Sequence, residues 1–383
     1  AVDRRPVFTH CARDSERDNG ARLSYAVFVR KRFLVPLAGV IGALGYLLAW
    51  PVTLEPQSWT PAPAPTLFGP LARNDLLVPV QRLCLARCRG PEDVAIGPDR
   101  HMYVGTADGH ILKLSPSGSE VEIMAKTSGH PLGLQWDPNG HLIVADAQRG
   151  LLKLNLNTRE LEPLATAHDG VPFGFTNDVD VGPSGTIYFS DSSTTFGVDH
   201  YKEVLWEHRP NGRLLSYDPQ TKKTKLLRGD LVFANGVAVD PKERFVLVVE
   251  TGKYRVHKLW LTGDHKGTSE VLIDNLPGFP DGLSRGTQGR YWLALFAPRS
   301  PELDALLPQP FWRTVAYRLP HELPPKVPPH AFVLGINAAG HIVDNLQDTS
   351  PGAYAPIASV EEFRGHLYLG SLTGQGLARI RIP

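Results

Sequence analysis

The 383-residue sequence has little cysteine, almost no net charge and little helical periodicity. Three cysteines are too few for a disulfide framework, and a formal net charge of +1 gives no support for nucleic acid or another highly charged partner. An apolar fraction of 42% and a charged fraction of 21% are ordinary for a globular chain and exclude wholesale disorder. The 36 glycines and 34 prolines are typical of a fold with many turns.

Cysteine pairing and glycosylation give few clues. Cys84 and Cys88 are close enough to form a disulfide if the backbone bends suitably, and two unpaired thiols in a connecting segment are an equally good interpretation. The sequence contains no Asn-x-Ser/Thr motif, which slightly favours a bacterial envelope protein over one on a eukaryotic surface.

One uncharged apolar run, residues 33–50, follows the basic residues 30–32. Its length and its basic flank predict an uncleaved signal anchor with its N-terminal end in the cytoplasm and the rest of the chain on the extracytoplasmic side. A cleaved signal peptide is the alternative, and the protein would then be secreted or periplasmic. Residues 1–32 carry eight Lys/Arg and four Asp/Glu, a net charge of 8 − 4 = +4, and are interpreted as a cytoplasmic tail or a non-native leader.

The segment that follows, residues 51–75, is rich in proline. Six of the first twenty residues are proline, which predicts a stiff, extended linker that holds the next domain away from the membrane.

From residue 76 to 383 the sequence repeats one pattern of short apolar strands separated by turns containing Gly, Pro, Asn or Asp. The copies span residues 90–118, 130–158, 175–193, 233–261, 279–298 and 357–382. Six copies of two to four strands each match the blades of a β-propeller. We therefore predict an all-β fold, a six-bladed β-propeller, with an N-terminal membrane anchor and one short helical insertion at residues 301–319 in the fifth blade. That insertion is expected either to cover the site or to touch the membrane.

Aligning the repeats places an oxygen-bearing side chain at the same first-strand position in four copies. The equivalent positions are Glu92, Leu132, Asn177, Asn235, Asp281 and Ala358. In a propeller the innermost strands line the central channel, so these positions form a ring. Two carboxylates and two amides without Cys or His suit a hard cation such as Ca²⁺, with water or substrate completing the coordination, and disfavour zinc or copper.

The stretches "GPEDVAIG", "TNDVDVGPSGTIYFSDSS", "FANGVAV" and "LPGFPDGLS" resemble the calcium-dependent six-bladed propeller hydrolases. That group includes the paraoxonases, diisopropylfluorophosphatase and the regucalcin/gluconolactonase proteins. The chain is most similar to its strictosidine synthase-like branch, that of the adipocyte plasma membrane-associated proteins. The resemblance covers residues 76–383 and implies that Glu92, Asn177, Asn235 and Asp281 are ligands of a catalytic Ca²⁺.

Three ring-related positions depart from the patterns of these relatives. Gly282 stands where paraoxonases have an additional asparagine, so the four-ligand regucalcin pattern fits better. Leu132 occupies the first position of the paraoxonase histidine dyad, and Ala358 the position of the strictosidine synthase glutamate. Leu132 argues against histidine base catalysis of the paraoxonase kind, and Ala358 argues against a condensing activity. Plant strictosidine synthases also do without the metal, whereas this chain retains all four ligand positions. Together with Ala358, this implies hydrolysis of esters or lactones, as in an arylesterase or lactonase.

In this interpretation Asp281 and Glu92 are the catalytic residues, with the metal polarising the carbonyl and Asp281 acting as general base or nucleophile. Asp178 is either an outer partner that orients the Asn177 amide or a solvated acid at a strand end. The predicted apolar pocket around the metal consists of Phe173, Phe175, Phe233, Phe279 and Leu132, and packing between blades is the alternative role for the phenylalanines. Two other functions stay open: a calcium-stabilised binding scaffold, and a non-hydrolytic enzyme like strictosidine synthase.

Overall fold

The computed structural model describes residues 37–85, 87–319 and 328–383. The chain separates into two compact units. The larger unit comprises residues 54–313 and 324–383 and contains every described β-strand, and the smaller unit comprises residues 1–53 and 314–323. The predicted tail, residues 1–32, and the first four residues of the predicted anchor lie outside the described residues.

The larger unit is a six-bladed β-propeller, as the repeats predicted. Each blade is a sheet of four antiparallel strands, and in blades 1 to 5 the strands follow one another in chain order. Blade 1 comprises β2 (Val94–Ile96), β3 (Met102–Gly105), β4 (His110–Leu114) and β5 (Val121–Lys126). Blade 2 comprises β6 (Pro131–Trp136), β7 (Leu142–Asp146), β8 (Gly150–Leu154) and β9 (Leu161–Ala165).

The next three blades have the same order. Blade 3 comprises β12 (Thr176–Val181), β13 (Ile187–Asp191), β14 (Gly212–Asp218) and β15 (Lys223–Leu231). Blade 4 comprises β16 (Ala234–Val239), β17 (Phe245–Glu250), β18 (Arg255–Trp260) and β19 (Ser269–Ile273). Blade 5 comprises β20 (Gly278–Arg285), β21 (Arg290–Pro298), β22 (Ala331–Asn337) and β23 (Ile342–Asp348). A two-stranded ribbon, β10 (Ala167–His168) and β11 (Val171–Pro172), precedes blade 3.

Blade 6 joins the two ends of the propeller. It comprises β24 (Ser359–Phe363), β25 (His366–Gly370), β26 (Leu377–Arg381) and, as its outermost strand, β1 (Gln81–Leu83) from the start of the propeller. β1 pairs antiparallel with β26, with Arg82 opposite Ala378. Directly after β1, Cys84 and Cys88 form a disulfide, which resolves the alternatives that the sequence left open.

The core lies between the blades, because the middle strands are buried on both faces. All six residues of β17 are buried, as are all five of β7 and of β13. Such strands read as continuous apolar runs, and their Val, Leu, Ile and Phe side chains form clusters shared by neighbouring blades. The outermost strands, such as β5 and β19, are mostly exposed or half-buried.

Four α-helices accompany the strands in the described part of the chain. In the smaller unit, α1 is described over residues 37–49, and the Arg318 guanidinium donates to the carbonyl oxygens of Leu47 and Trp50 near its end. α2 (Tyr201–Glu207) lies between the second and third strands of blade 3 and was not predicted. α3 (Pro301–Leu306) and α4 (Pro310–Tyr317) form the predicted insertion in blade 5. No described helix is both long and apolar enough to cross a membrane.

Most of the proline-rich segment predicted as a linker packs against the propeller. We call residues 54–75 the strap. Trp59 stacks on His208 with ring centroids 4.9 Å apart, Gln57 donates its N–H to the Glu207 carbonyl (2.8 Å), and Arg313 donates to the Gln57 carbonyl (2.5 Å). The prolines do keep the chain extended, but an extended chain leaves its carbonyls free to accept such hydrogen bonds.

Candidate active site

The four predicted ligands are brought together at the channel end of the blades. Asn177 and Asn235 are the second residues of β12 and β16, Asp281 is in β20, and Glu92 lies two residues before β2. All four are buried, with 7% exposure for Glu92 and Asp281, 3% for Asn177 and 2% for Asn235. They line one cavity. Blades 1, 3, 4 and 5 therefore each contribute one oxygen-bearing side chain to a common site.

Irregular strand pairing explains how these side chains leave the plane of the sheet. The pairing of β12 with β13 shifts register between Thr176 and Val179, which brackets Asn177. The pairing of β16 shifts between Ala234 and Val237, and that of β20 between Pro280 and Leu283. An irregularity of this kind redirects a side chain and ends regular pairing. The same irregularity therefore presents the predicted ligand in three blades.

Gly282 allows blades 5 and 6 to approach each other. Its N–H donates to the Ala358 carbonyl (2.7 Å), and a Cβ at this position would lie 2.5 Å from that oxygen. An asparagine side chain therefore has no room here, which is the physical reason for the four-residue ring. Gly236 has the same role one blade earlier, since a Cβ there would lie 2.5 Å from the Asp281 carbonyl.

Burial disfavours the ionised form of the two ring carboxyl groups, Glu92 and Asp281. Burial raises the pKa of Glu92 well above its ordinary value, and the nearby charges of Asp281, Asp93 and Asp178 raise it further. Burial also raises the pKa of Asp281 to about 7, although a hydrogen bond with Asn235 opposes that shift. The Glu92 Oε2 atom is buried and has no hydrogen-bond partner among the residues that the structure describes. A bound cation would satisfy this oxygen and offset the repulsion.

The Asn235 amide is held so that its oxygen stays available. Its Nδ2 donates to Thr251 Oγ1 (3.2 Å), and the Thr251 hydroxyl in turn donates to the Pro280 carbonyl (2.6 Å). With the amide nitrogen engaged in this way, Oδ1 is the Asn235 atom suited to a cation. Within the described ranges no three His, Cys, Asp or Glu side chains are grouped to hold a metal. The ring contains only two carboxylates and depends on amide oxygens for the rest.

Asp178 contacts the neighbouring blade rather than the Asn177 amide. Its Oδ2 accepts the Val237 N–H (2.7 Å), and its Oδ1 accepts the Val179 N–H (2.8 Å). Val237 is two residues beyond Asn235 on β16. Asp178 therefore positions the strand that carries Asn235, the predicted ligand of blade 4, and the predicted contact with Asn177 is replaced by this one.

The cavity above the ring is small and largely apolar, with a volume of about 200 Å³. Phe175, Phe233 and Phe279 line it, as the sequence predicted. The other two predicted pocket residues lie elsewhere. Leu132 is fully buried in the cluster behind Phe175 and Phe233, and Phe173 packs edge-on against Phe189 at 5.3 Å.

Sequence reasoning missed the residues that complete the cavity wall. They are Tyr201, Lys202 and Leu205 of α2, Thr251, Phe296 and Ala297, and Leu372. The spacing of Tyr201 and Leu205, four residues apart, could have indicated one face of a helix. A seven-residue helix is too short for its periodicity to stand out from the surrounding loop.

A second cavity of about 300 Å³ lies on the other side of the ring and shares Glu92, Asn177 and Asn235 with the first. Its lining is acidic, with Asp93, Asp178, Asp180 and Glu361, and Arg285 is the one basic side chain among the described residues that line it. The ring thus separates an apolar cavity from a polar one.

Comparisons with known proteins agree with this architecture. The strictosidine synthase family model matches residues 177–264, and the model of the strictosidine synthase-like N-terminal region matches residues 69–114. The adipocyte plasma membrane-associated protein of Bos taurus is 35% identical over 400 residues, which cover 98% of this chain and 96% of the relative. The chain belongs to the strictosidine synthase-like family.

Solved structures place the fold of this strictosidine synthase-like chain in a wider group. A gluconolactonase from Xanthomonas campestris superimposes with a TM-score of 0.58 at 15% identity and covers 88% of this chain and 99% of its own. The calcium-binding protein regucalcin from Agrobacterium tumefaciens gives a TM-score of 0.54 at 14% identity and covers 78% and 90%. At such low identity the likeness concerns the propeller fold alone.

Proposed function

We propose that this protein is a calcium-dependent hydrolase of small, largely apolar esters or lactones. The observation that carries the proposal is the convergence of two carboxylates and two amides at the base of an apolar cavity. One oxygen of the Glu92 carboxylate is buried there without a hydrogen bond from any described residue. A gluconolactonase and a calcium-binding regucalcin share the fold, which supports this choice of chemistry.

Glu92, Asn177, Asn235 and Asp281 would hold the cation. When bound, Ca²⁺ would act as a Lewis acid on the substrate carbonyl and lower the pKa of a bound water. The protein supplies the rest. Asn235, held by Thr251, and Asp178, which fixes the strand beyond Asn235, keep the ring in one geometry.

Asp281 is the residue proposed to accept a proton from the attacking water. A carboxylate buried at 7% exposure beside an apolar cavity has lost most of its hydration, which makes it a stronger base than a solvated one. Its burial beneath three phenylalanines also keeps bulk water from competing with the substrate.

The cavity lining supports an apolar acyl or alcohol group in the substrate. Phe175, Phe233 and Phe279 offer ring faces and edges at the cavity wall, whereas a sugar would need hydrogen-bonding groups spread over that wall. A condensing reaction like that of strictosidine synthase is less well supported, because Ala358 provides no acid or base at the position of the synthase glutamate.

The proposal can be tested by measuring hydrolysis of phenyl acetate and of an alkyl-substituted lactone by the purified full chain. We expect turnover that a chelator abolishes and that added Ca²⁺ restores. Glu92→Gln and Asp281→Asn should remove it, whereas Glu270→Gln on the exposed strand β19 should not. Turnover unchanged by both ring variants would contradict the metal mechanism, and no turnover with any ester, lactone or phosphotriester would favour a binding scaffold.

We further propose that residues 33–50 anchor the protein in a membrane, with the propeller on the extracytoplasmic side. The basic residues 30–32 before the apolar run support this topology, and the bovine relative is named as plasma membrane-associated. Fractionation of cells with carbonate washing tests the anchor, and protease accessibility of the propeller in intact cells tests its side. Release of the chain into the soluble fraction would instead indicate a cleaved leader.

A further inference from the structure

Tyr201 is the first residue of α2 and reaches across the apolar cavity from blade 3 towards blade 5. It lines the cavity together with all four ring residues. Its ring packs edge-on against Phe296 of β21, with centroids 6.2 Å apart. Tyr201 is half-buried, so its aromatic ring belongs to the cavity wall and its position is fixed by a neighbouring blade.

The Tyr201 hydroxyl is the neutral O–H group of the cavity that remains available to a ligand. Thr251 has the other hydroxyl in the lining, and that hydroxyl is already committed to the Pro280 carbonyl and the Asn235 amide. In the part of the chain that the structure describes, no residue pairs with the Tyr201 hydroxyl. A phenol at an apolar wall usually finds a hydrogen-bond partner, and here a bound ligand can supply it.

The Tyr201 hydroxyl also lies close enough to the carboxylates of Asp281 and Glu92 to interact with their charges. Burial raises the pKa of Tyr201, and the charges of Asp281, Glu203 and Glu92 raise it further. The ring carboxylates thus face the same space as the phenol. A substrate whose carbonyl points towards the ring would present its oxygen between the ring and α2.

We propose that the Tyr201 hydroxyl donates a hydrogen bond to the carbonyl oxygen of an ester or lactone bound in the cavity, an assignment that rests on the proposed hydrolase function. Negative charge develops on this oxygen as water attacks the carbonyl carbon, so the hydrogen bond strengthens towards the transition state. The tyrosine keeps its proton throughout. Water supplies the new C–O bond and the proton of the departing alcohol.

The test compares Tyr201→Phe with the wild-type full chain on phenyl acetate and the alkyl lactone. A single donor of this kind is worth roughly 100- to 1000-fold in kcat in other hydrolases. Because a cation would share the charge here, we expect kcat to fall by roughly 10- to 100-fold. We expect KM to change little, and the affinity for phenyl methylphosphonate, an analogue of the tetrahedral state, to fall by the same factor as kcat/KM.

Tyr217→Phe is the matched control. Tyr217 is a buried tyrosine of β14 in the same blade, outside the cavity, and its variant should keep kcat and phosphonate affinity near the wild-type values. Calcium affinity, measured by calorimetry after chelator treatment, should be the same for Tyr201→Phe and wild type.

The outcomes separate the two proposals. An active wild type whose Tyr201→Phe variant keeps its kcat and phosphonate affinity overturns the assignment of Tyr201 and leaves the hydrolase function in place. A Tyr201→Phe variant that loses calcium affinity or folded structure also overturns it, because the role would be structural. A wild type that hydrolyses nothing overturns the proposed function itself.

Discussion

The Asp180 carboxylate meets the Arg285 guanidinium across the propeller channel, with Oδ1 2.9 Å from Nη2. Asp180 belongs to blade 3 and Arg285 to blade 5. The same carboxylate accepts a hydrogen bond from the Gln135 side chain of blade 2 (3.2 Å) and from the Val239 N–H of blade 4 (2.8 Å). One buried side chain thus ties four blades together on the polar side of the ring.

We expect Asp180→Asn to destabilise the protein strongly, because it removes the charge that Arg285 faces and one acceptor of a shared network. Breaking a buried pair by removing one partner typically costs about 3–5 kcal/mol, and the partial exposure of Arg285 places the expected loss near the lower end. Urea unfolding of the two proteins measures it. Asp264→Asn, at an exposed position, is the control, and equal losses in both variants would contradict a role for the network.

The disulfide next to the closing strand should contribute to stability. The strand β1 holds the two ends of the propeller together, because it pairs with β26 in blade 6. Cys84 and Cys88 close a small loop directly after this strand. Loop-closure entropy for so short a loop predicts a loss of about 2 kcal/mol when both are replaced by serine. Thermal unfolding with and without reductant measures the effect. The double variant should be insensitive to reductant, and a wild type equally insensitive would contradict the prediction.

Repetition made the propeller and its ring predictable from the sequence. Glu92, Asn177, Asn235 and Asp281 occupy equivalent positions in four repeats, and equivalent positions in a propeller face the same channel. Aromatic residues just before the ligand positions were predicted less well. Phe175, Phe233 and Phe279 line the cavity. Phe173, two residues before Phe175 in the sequence, packs between blades instead.

Features that depend on contacts between distant parts of the chain could not be predicted in this way. The strap and α2 occur once each and have no counterpart in the other repeats, and β1 joins blade 6 from the opposite end of the propeller chain. Trp59, in the strap, finds its partner His208 about 150 residues further along the chain, and proline content alone predicts an extended segment whether or not it docks. Tyr201 enters the cavity only because α2 folds over the ring.

Glu250 should make the stability of blade 4 dependent on pH. Burial would raise the pKa of this carboxyl, but hydrogen bonds from His257 and the Val232 N–H and the charges of Arg255 and Lys253 outweigh it and lower the pKa from 4.5 to about 2. The ionised form is therefore favoured by folding. Its contribution is present above pH 4.5 and is lost as the pH falls from 4.5 towards 2, on the order of 3 kcal/mol in total.

Unfolding of wild type and Glu250→Gln at pH 7 and at pH 3 checks this dependence. The difference in free energy of unfolding between the two proteins should shrink at the lower pH, because the wild-type carboxyl then approaches its protonated form. Glu120→Gln, in the exposed turn before β5, serves as the control and should show no such change. A difference that stays constant between the two pH values would contradict the assignment.

Asp281→Asn should have opposite effects on the metal-free and calcium-loaded protein. In the metal-free protein Asp281 is a buried carboxylate near that of Glu92, and the amide removes this repulsion at little cost in shape. We therefore expect the metal-free variant to be at least as stable as wild type.

Wild type should gain about 3 kcal/mol of unfolding free energy when Ca²⁺ is present at a hundred times its dissociation constant. The Asp281→Asn variant should gain much less, because it lacks one of the two charged ligands proposed for the cation. Thermal unfolding of chelator-treated protein across a calcium titration measures both effects. Asp264→Asn, the same carboxylate-to-amide change at an exposed position, should keep the calcium-dependent gain. An equal gain in Asp281→Asn and wild type would show that the cation binds elsewhere.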